Sequence, residues 1–387
     1  MSEALQQERI VSRRLPLHEA HERTGANFVE REGWTLPASY GDSAIEYKAV
    51  RETGAGIIDL SSRGRVKVSG TEAVQFLNGL ITNDVKALQP GTWMAAAFPN
   101  AQGRLVAPAR ILRIEDSFLI DTDLATSERV RKTLERFTMA GDFRVADIEN
   151  EIVLLSVQGA RAAETIQLIF GETAGNVSRG HVAQAIWREQ QFIIMRATHT
   201  SEDGFDIFVP TETAQAVWNA FVNEGHVRPV GYEAFETLRI EAGVPRYGVD
   251  MDETNVVTES LIEDEAVSYQ KGCYIGQEII ARIHWRGHVA KKLTGIIFDD
   301  ATTLLTPTAK IRSMDGKEIG RITSQAFSPR LNRLIALAYV KYDYLAPDTH
   351  VHVIMNDTEQ HTARVAALPS VRGSWYEQPS ASEVQNA

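Results

Sequence analysis

The stretch Lys271-Gly272-Cys273-Tyr274-Ile275-Gly276-Gln277-Glu278 gathers a thiol, a cation, a carboxylate and two glycines within one short segment. A thiol becomes a working nucleophile when nearby positive charge stabilises its thiolate, and Lys271 supplies that charge if its side chain turns toward Cys273. The glycines let another backbone come close. The plain alternative is that Cys273 is a small core residue, because free cysteine is among the most buried types. Cys273 is the single cysteine of the chain, so an internal disulfide is impossible and a structural zinc site would need other ligands.

Directly after this motif, Arg282, His284, Arg286 and His288 alternate with Ile283, Trp285, Gly287 and Val289. On a strand the basic residues share one face, which Lys291 and Lys292 extend. Such a ridge suits an anionic ligand held by charge-assisted hydrogen bonds, and it is equally the pattern of a solvated strand face. The segment Ser201-Glu202-Asp203-Gly204-Phe205-Asp206 sets carboxylates on both sides of a tight turn. A buried carboxylate there accepts paired N–H donors such as a pterin ring presents, although acidic residues also suit turns on their own account. Asn100-Ala101-Gln102-Gly103-Arg104 reads first as a turn. No metal-ligand cluster, Walker loop or Ser/His/Asp order stands out, so no metal is expected.

The elements that position these residues follow a recurring design of a short apolar strand, a Gly or Pro break and an amphipathic helix, which predicts α/β layers. It occurs over Arg65 to Leu80, where Ser69 and Glu72 have capping-box spacing, and again over Ile152 to Phe170. The third instance is Phe205 to Phe221, with Thr211 expected to cap its helix. Tyr232 to Gly243 predicts a further helix, with Phe235, Leu238 and Ala242 on one face and Gly243 stopping it. From Leu293 the pattern becomes short β-rich runs: Leu293–Phe298, Ala309–Met314, Glu318–Ser324, Ile335–Val340, Val351–Met355 and Thr362–Ala367. Asp315-Gly316 is a hairpin signal. These runs predict a small antiparallel barrel over residues 291–372, after a two-lobed module over 15–290 and before a loose tail over 373–387.

The chain has 387 residues, 43% hydrophobic and 24% charged, the balance of a globular protein large enough for more than one core. A formal net charge of −11 argues against general affinity for nucleic acid or anionic membrane, so any anion site must be local. The polar N-terminal residues lack a signal-peptide apolar run, and no stretch approaches the roughly 20 apolar residues of a membrane span. The expectation is a soluble, cytoplasmic protein.

Beyond these local readings, the chain resembles the glycine-cleavage T-protein superfamily. The resemblance rests on Glu46 to Arg51 with Gly56-Ile57-Ile58-Asp59, the Glu202 to Asp206 block, Leu238 to Gly243, Tyr247-Gly248, and Ile322-Thr323-Ser324 with Ser328-Pro329, in that order. Lys271 to Glu278 is similar to the signature of the YgfZ-type branch, which binds tetrahydrofolate and supports the making or repair of iron–sulfur clusters. The resemblance implies a three-lobed ring of two α/β lobes and a C-terminal barrel, with tetrahydrofolate or a one-carbon derivative in a central hole. It implies Cys273 and Lys271 as working residues, Glu202 or Asp206 together with Arg239 near the pterin, and Tyr274, Gln277, Glu278, Arg282 and Arg286 as further folate contacts. Iron–sulfur proteins are the implied partners. Aminomethyltransferases of the superfamily follow the glycine turn with an Asp pair, whereas here Gly103-Arg104-Leu105-Val106 leads into Ala107-Pro108. Neither residue relays a proton, so folate binding is expected and glycine-cleavage turnover is not. The alternatives are a tetrahydrofolate-dependent aminomethyltransferase or demethylase and a non-catalytic folate-binding module.

Overall fold

The computed structural model describes residues 12–299, 309–354 and 360–377. Two mainly antiparallel sheets with covering helices form two lobes, and a closed six-stranded barrel follows them. In the first lobe the strand order is Thr92–Pro99, Leu105–Ile114, Ser117–Thr122, Gly64–Ser69, Arg144–Asp147. The second orders Val182–Trp187, Gln190–Arg196, Gly204–Pro210, Ile152–Gln158, Gly56–Asp59 and Arg228–Pro229. A small sheet of Arg13–Arg14, Asn27–Arg31 and Trp34–Ser39 adds to these lobes.

Alternation along the strands sends side chains to two different cores. In the first lobe Val66, Val68, Ala107, Ala109, Ile111 and Ile120 pack with Leu77 and Leu80 of the helix Ala73–Leu80. The opposite faces of the two sheets meet through Leu112 and Leu119 on one side and Ile58, Leu154 and Phe208 on the other. Arg110 and Asp121, which pair across strands, lie on that same inter-sheet face. The interface between the lobes therefore combines an apolar seam with buried charge.

Each of the three strand-and-helix segments appears as anticipated, but neither proposed cap forms. The helix Ala73–Leu80 begins at Glu72 without a side-chain cap, because the Glu72 carboxylate instead accepts the Asp142 N–H at 2.7 Å. Thr211 directs its hydroxyl to the Asn150 carbonyl, 2.9 Å away, rather than to its own helix. Both side chains serve tertiary contacts that local spacing does not reveal. The helix Tyr232–Ala242 ends at Gly243 in the left-handed conformation, φ +73°, where a Cβ would lie 2.9 Å from the Leu368 side chain.

The barrel strands are Lys291–Phe298, Lys310–Ser313, Glu318–Ser328, Arg333–Lys341, His350–Ile354 and Gln360–Ala366. Closure leaves no free sheet edge. Gly316, at φ +86°, makes the expected hairpin turn, while Met355 of the anticipated fifth strand lies outside the described residues. The start of the supposed loose tail is anchored. Ser374 donates through its N–H and hydroxyl to Glu202 at 2.8 and 2.7 Å.

Candidate functional site

A cavity of about 160 Å³ lies where the two lobes meet the small N-terminal sheet. Its walls include apolar side chains, Leu36, Pro37, Val230 and Phe235, and charged ones, Arg63, Asp123, Glu236, Arg239 and Arg246, with His199 between. Few polar groups on an apolar wall is the ordinary makeup of a small-molecule site. The helix Tyr232–Ala242 supplies Phe235, Glu236 and Arg239, the last two placed as neighbours by their helical spacing of three.

Beside the cavity runs a chain of alternating charges between the sheets. Arg110 lies with Nε 2.7 Å from Asp121 and also pairs with Asp206. Arg63 reaches Asp121 at 2.7 Å and pairs with Asp123. His199 Nε2 completes the row, 2.9 Å from Asp206. Burial raises the Asp206 carboxyl, but His199 and Arg110 more than offset that and hold it below the ordinary carboxylate range. Asp121 is governed the same way, with burial outweighed by Arg110 and Arg63. Both carboxylates are therefore ionised near neutrality. Arg110 Nη2 and Arg246 Nε are buried donors with no partner among the described residues.

Of the residues expected to touch folate, only Arg239 borders this cavity. Its guanidinium is also a structural hub, bonded to Glu236 at 2.7 Å, Asp250 at 2.8 Å and Ser324 at 2.8 Å. Burial lowers its basicity, yet Glu236 and Asp250 overcome this and hold the charge firmly. Asp206 is fully buried and does not line the cavity itself, but touches the cavity-lining His199 at 2.9 Å. Glu202 faces elsewhere, occupied by Arg51 at 2.9 Å and by Ser374.

Lys271 does not turn toward Cys273. Its ammonium donates to the carbonyls of Asn78, Ile81 and Asn83 at 2.7, 2.8 and 2.6 Å, closing the end of the helix Ala73–Leu80. Burial pulls its pKa down to about 8. Cys273 is exposed, so the buried-core alternative for it fails. Tyr274 is buried in an apolar cluster with Tyr247, Val257 and Ile280.

The basic ridge is not a strand. Residues Gln277–Arg286 form a helix, begun at Gly276 with φ +80°, and the alternation of basic residues is therefore spread around its surface. A β-carbon at Gly276 would sit 2.3 Å from the Asn100 carbonyl, so this glycine lets the motif lock against the Asn100–Arg104 turn. Gly272 has open space around it and plays no such part. His284 stacks on Tyr269 and His288 on Tyr342, with ring centroids 3.6 and 3.9 Å apart. Glu278, Arg282 and Arg286 line a separate surface groove, with Gln277 in the same first turn as Glu278.

Sequence reasoning missed Arg63, Arg110, Asp121, Asp123 and His199. The available signals were Asp121 and Asp123 bracketing a strand end, and a histidine placed directly before the acidic turn. Ala107 and Pro108 also divide. Ala107 packs into the first lobe's own core, whereas Pro108 stands on the opposite face, two residues before Arg110.

The chain matches the family model described as GCVT N-terminal domain over residues 17–268 and the glycine cleavage T-protein C-terminal barrel domain over residues 291–371. It is 30% identical to an aminomethyltransferase of Saccharopolyspora erythraea, with 93% of this chain and 98% of that protein covered. It is 32% identical to an aminomethyltransferase of Rubrobacter xylanophilus, with 85% and 87% covered. The crystal structure of glycine cleavage system aminomethyltransferase T from Bartonella henselae superposes with a TM-score of 0.83 at 25% identity, covering 93% of this chain and 98% of that one. The chain thus belongs to the glycine cleavage T-protein family.

Proposed function

We propose that this protein is a tetrahydrofolate-dependent transferase of the aminomethyltransferase type, binding reduced folate in the cavity between the lobes. The observation that carries the reading is a cavity between the lobes in which the apolar side chains of Leu36, Pro37, Val230 and Phe235 stand with the guanidinium groups of Arg63, Arg239 and Arg246. A folate suits both parts of that wall, with carboxylates and a ring carbonyl as acceptors for the arginines and a flat ring for the face made by Pro37, Val230 and Phe235. Relatives that are aminomethyltransferases over nearly their whole length favour this reading over an iron–sulfur accessory role. They also weigh against the expectation, drawn from Ala107-Pro108, that glycine-cleavage turnover is absent.

Bound tetrahydrofolate supplies the nitrogen that accepts the one-carbon unit. An aminomethyl carbon is already at the oxidation level of formaldehyde, so its transfer needs no oxidant. The Arg63–Asp121–Arg110–Asp206 row fixes the charges beside the cavity before any ligand arrives, which avoids reorganisation during the reaction. The apolar wall limits water near the reacting carbon.

Incubation with tetrahydrofolate and an aminomethylated lipoyl carrier tests the reading. Folate-dependent ammonia release supports it, and saturable folate binding without any turnover would return the protein to a binding module. One observation favours a second reading: Cys273 is exposed on a loop, open to a partner. An accessory role in iron–sulfur assembly predicts that Cys273→Ala abolishes complementation of a deletion strain while leaving folate-dependent ammonia release intact.

A further inference from the structure

We infer that His199 is the proton-handling residue of the cavity, with Asp206 as the positioning residue that fixes its tautomer. This rests on the proposed folate-dependent transfer and adds the group that such a transfer needs. Pro108, facing the inter-sheet side, offers no titratable atom, so proton management must come from another residue at the cavity.

His199 borders the cavity, and its ring is fixed from two directions and its backbone from a third. Its Nε2 lies 2.9 Å from Asp206 Oδ2 and 3.1 Å from Oδ1. The ring meets Phe235 edge-on, with centroids 6.2 Å apart. Its backbone N–H is held by the side chain of buried Gln158 at 2.9 Å, and Gln158 also binds the Ala197 carbonyl at 3.0 Å. The loop that carries the ring is therefore braced as well as the ring itself.

The tautomer follows from the partner. Asp206 is buried and ionised between His199 and Arg110, and an ionised carboxylate only accepts hydrogen bonds. Nε2 must then carry a proton, and in the neutral ring this leaves the Nδ1 lone pair free. Nδ1 takes no hydrogen bond among the described residues and is not one of their fully buried unpartnered atoms, so it is accessible, on a residue that lines the cavity. The charged groups around the ring are Asp206 on the strand Gly204–Pro210 and Arg110 on Leu105–Ile114, whose Nη1 is 3.5 Å from Nε2. Across the cavity stand Glu236 and Arg239 from the helix Tyr232–Ala242, and Arg63 with Asp123.

The step balances without a co-reactant. A nucleophilic nitrogen forms a bond to the one-carbon unit as the bond from that carbon to the amine nitrogen breaks, its electron pair leaving with the amine; a second nitrogen of the acceptor then displaces the carrier sulfur, which leaves with its electron pair and takes up the proton that nitrogen sheds. The proton shed by the nucleophile moves to Nδ1 of His199, Asp206 balances the imidazolium charge, and the same proton passes to the departing amine.

Three experiments on the full chain test this. Nitrogen-15 imidazole shifts of His199, assigned by comparison with His199→Gln, should give the Nε2–H tautomer without any ligand; an Nδ1–H signature overturns the inference. For His199→Gln, tetrahydrofolate affinity by calorimetry should stay within about threefold, while ammonia release falls by about 10²–10⁴. In His199→Ala, added imidazole should restore part of that rate, which a purely structural role would not allow. Turnover in His199→Gln within threefold of wild type overturns the inference but leaves the transferase reading standing. Failure of the wild type to bind folate overturns both.

Discussion

The ammonium of Lys271 lies 2.7 Å from the carbonyl oxygen of Asn78, across nearly half the sequence, and makes two more bonds of the same kind to Ile81 and Asn83. The lysine of the cysteine motif is thus a clamp on the end of a first-lobe helix. Three carbonyls left without a donor would each lose a charge-assisted bond. Lys271→Met should cost about 1.5–3 kcal/mol in urea unfolding. The same variant should leave the alkylation rate of Cys273 within about twofold of wild type; a large fall would restore Lys271 as the activator of the thiol.

Gly276 and Gly272 flank the same cysteine but should respond in opposite ways. Gly276→Ala forces a β-carbon to within 2.3 Å of the Asn100 carbonyl at a φ of +80°. It should destabilise the protein by about 1–3 kcal/mol. Gly272→Ala meets nothing within 4 Å and should change the thermal midpoint by no more than a degree or two. Equal effects in a melting experiment would count against the packing of the motif on the Asn100–Arg104 turn.

Arg110 neutralises two fully buried carboxylates, Asp121 and Asp206. Arg110→Met leaves both with less compensation and should lower stability at pH 7 by about 3–5 kcal/mol. Both aspartates have folded pKa values below those of the unfolded chain. Their stabilising contribution is therefore present above about pH 4 and is lost as pH falls through the folded values. Wild-type urea midpoints should drop steeply below about pH 4, and the Arg110 variant should show a shallower acid dependence.

Glu202 tests the division of labour in the acidic turn. Glu202→Gln weakens its pairing with Arg51 and its hold on Ser374, so proteolysis near the C-terminal end should speed up. Tetrahydrofolate affinity should stay within about twofold. A tenfold loss would place Glu202 in the ligand site after all.

Much of the architecture was readable from local pattern. Alternating apolar residues from Leu293 onward marked the barrel strands, and Gly243 marked a helix end, because period and punctuation are properties of a few neighbouring residues. What failed depended on distant partners. The alternation of Arg282, His284, Arg286 and His288 mimicked a strand, but Gly276 and the apolar Ile280, packed with Leu105 and Tyr247, make the segment a helix. Glu202 and Asp206 looked equivalent until Ser374, far along the chain, took one and His199 with Arg110 took the other. The charge row itself joins five separate strands and loops, and no spacing rule connects Arg63, Arg110, Asp121, Asp206 and His199.

The claim on which the rest depends is that reduced folate occupies the cavity between the lobes, and one calorimetric comparison decides it. Ala125 is an exposed residue on the cavity wall, so Ala125→Trp adds bulk there without disturbing a core. Titration of tetrahydrofolate into the wild type should give saturable binding at one site per chain, unchanged in Cys273→Ala and lost or weakened at least tenfold in Ala125→Trp with an unaltered melting temperature. Wild-type protein that binds no folate, or an Ala125→Trp variant that binds it as tightly as wild type, would contradict the account.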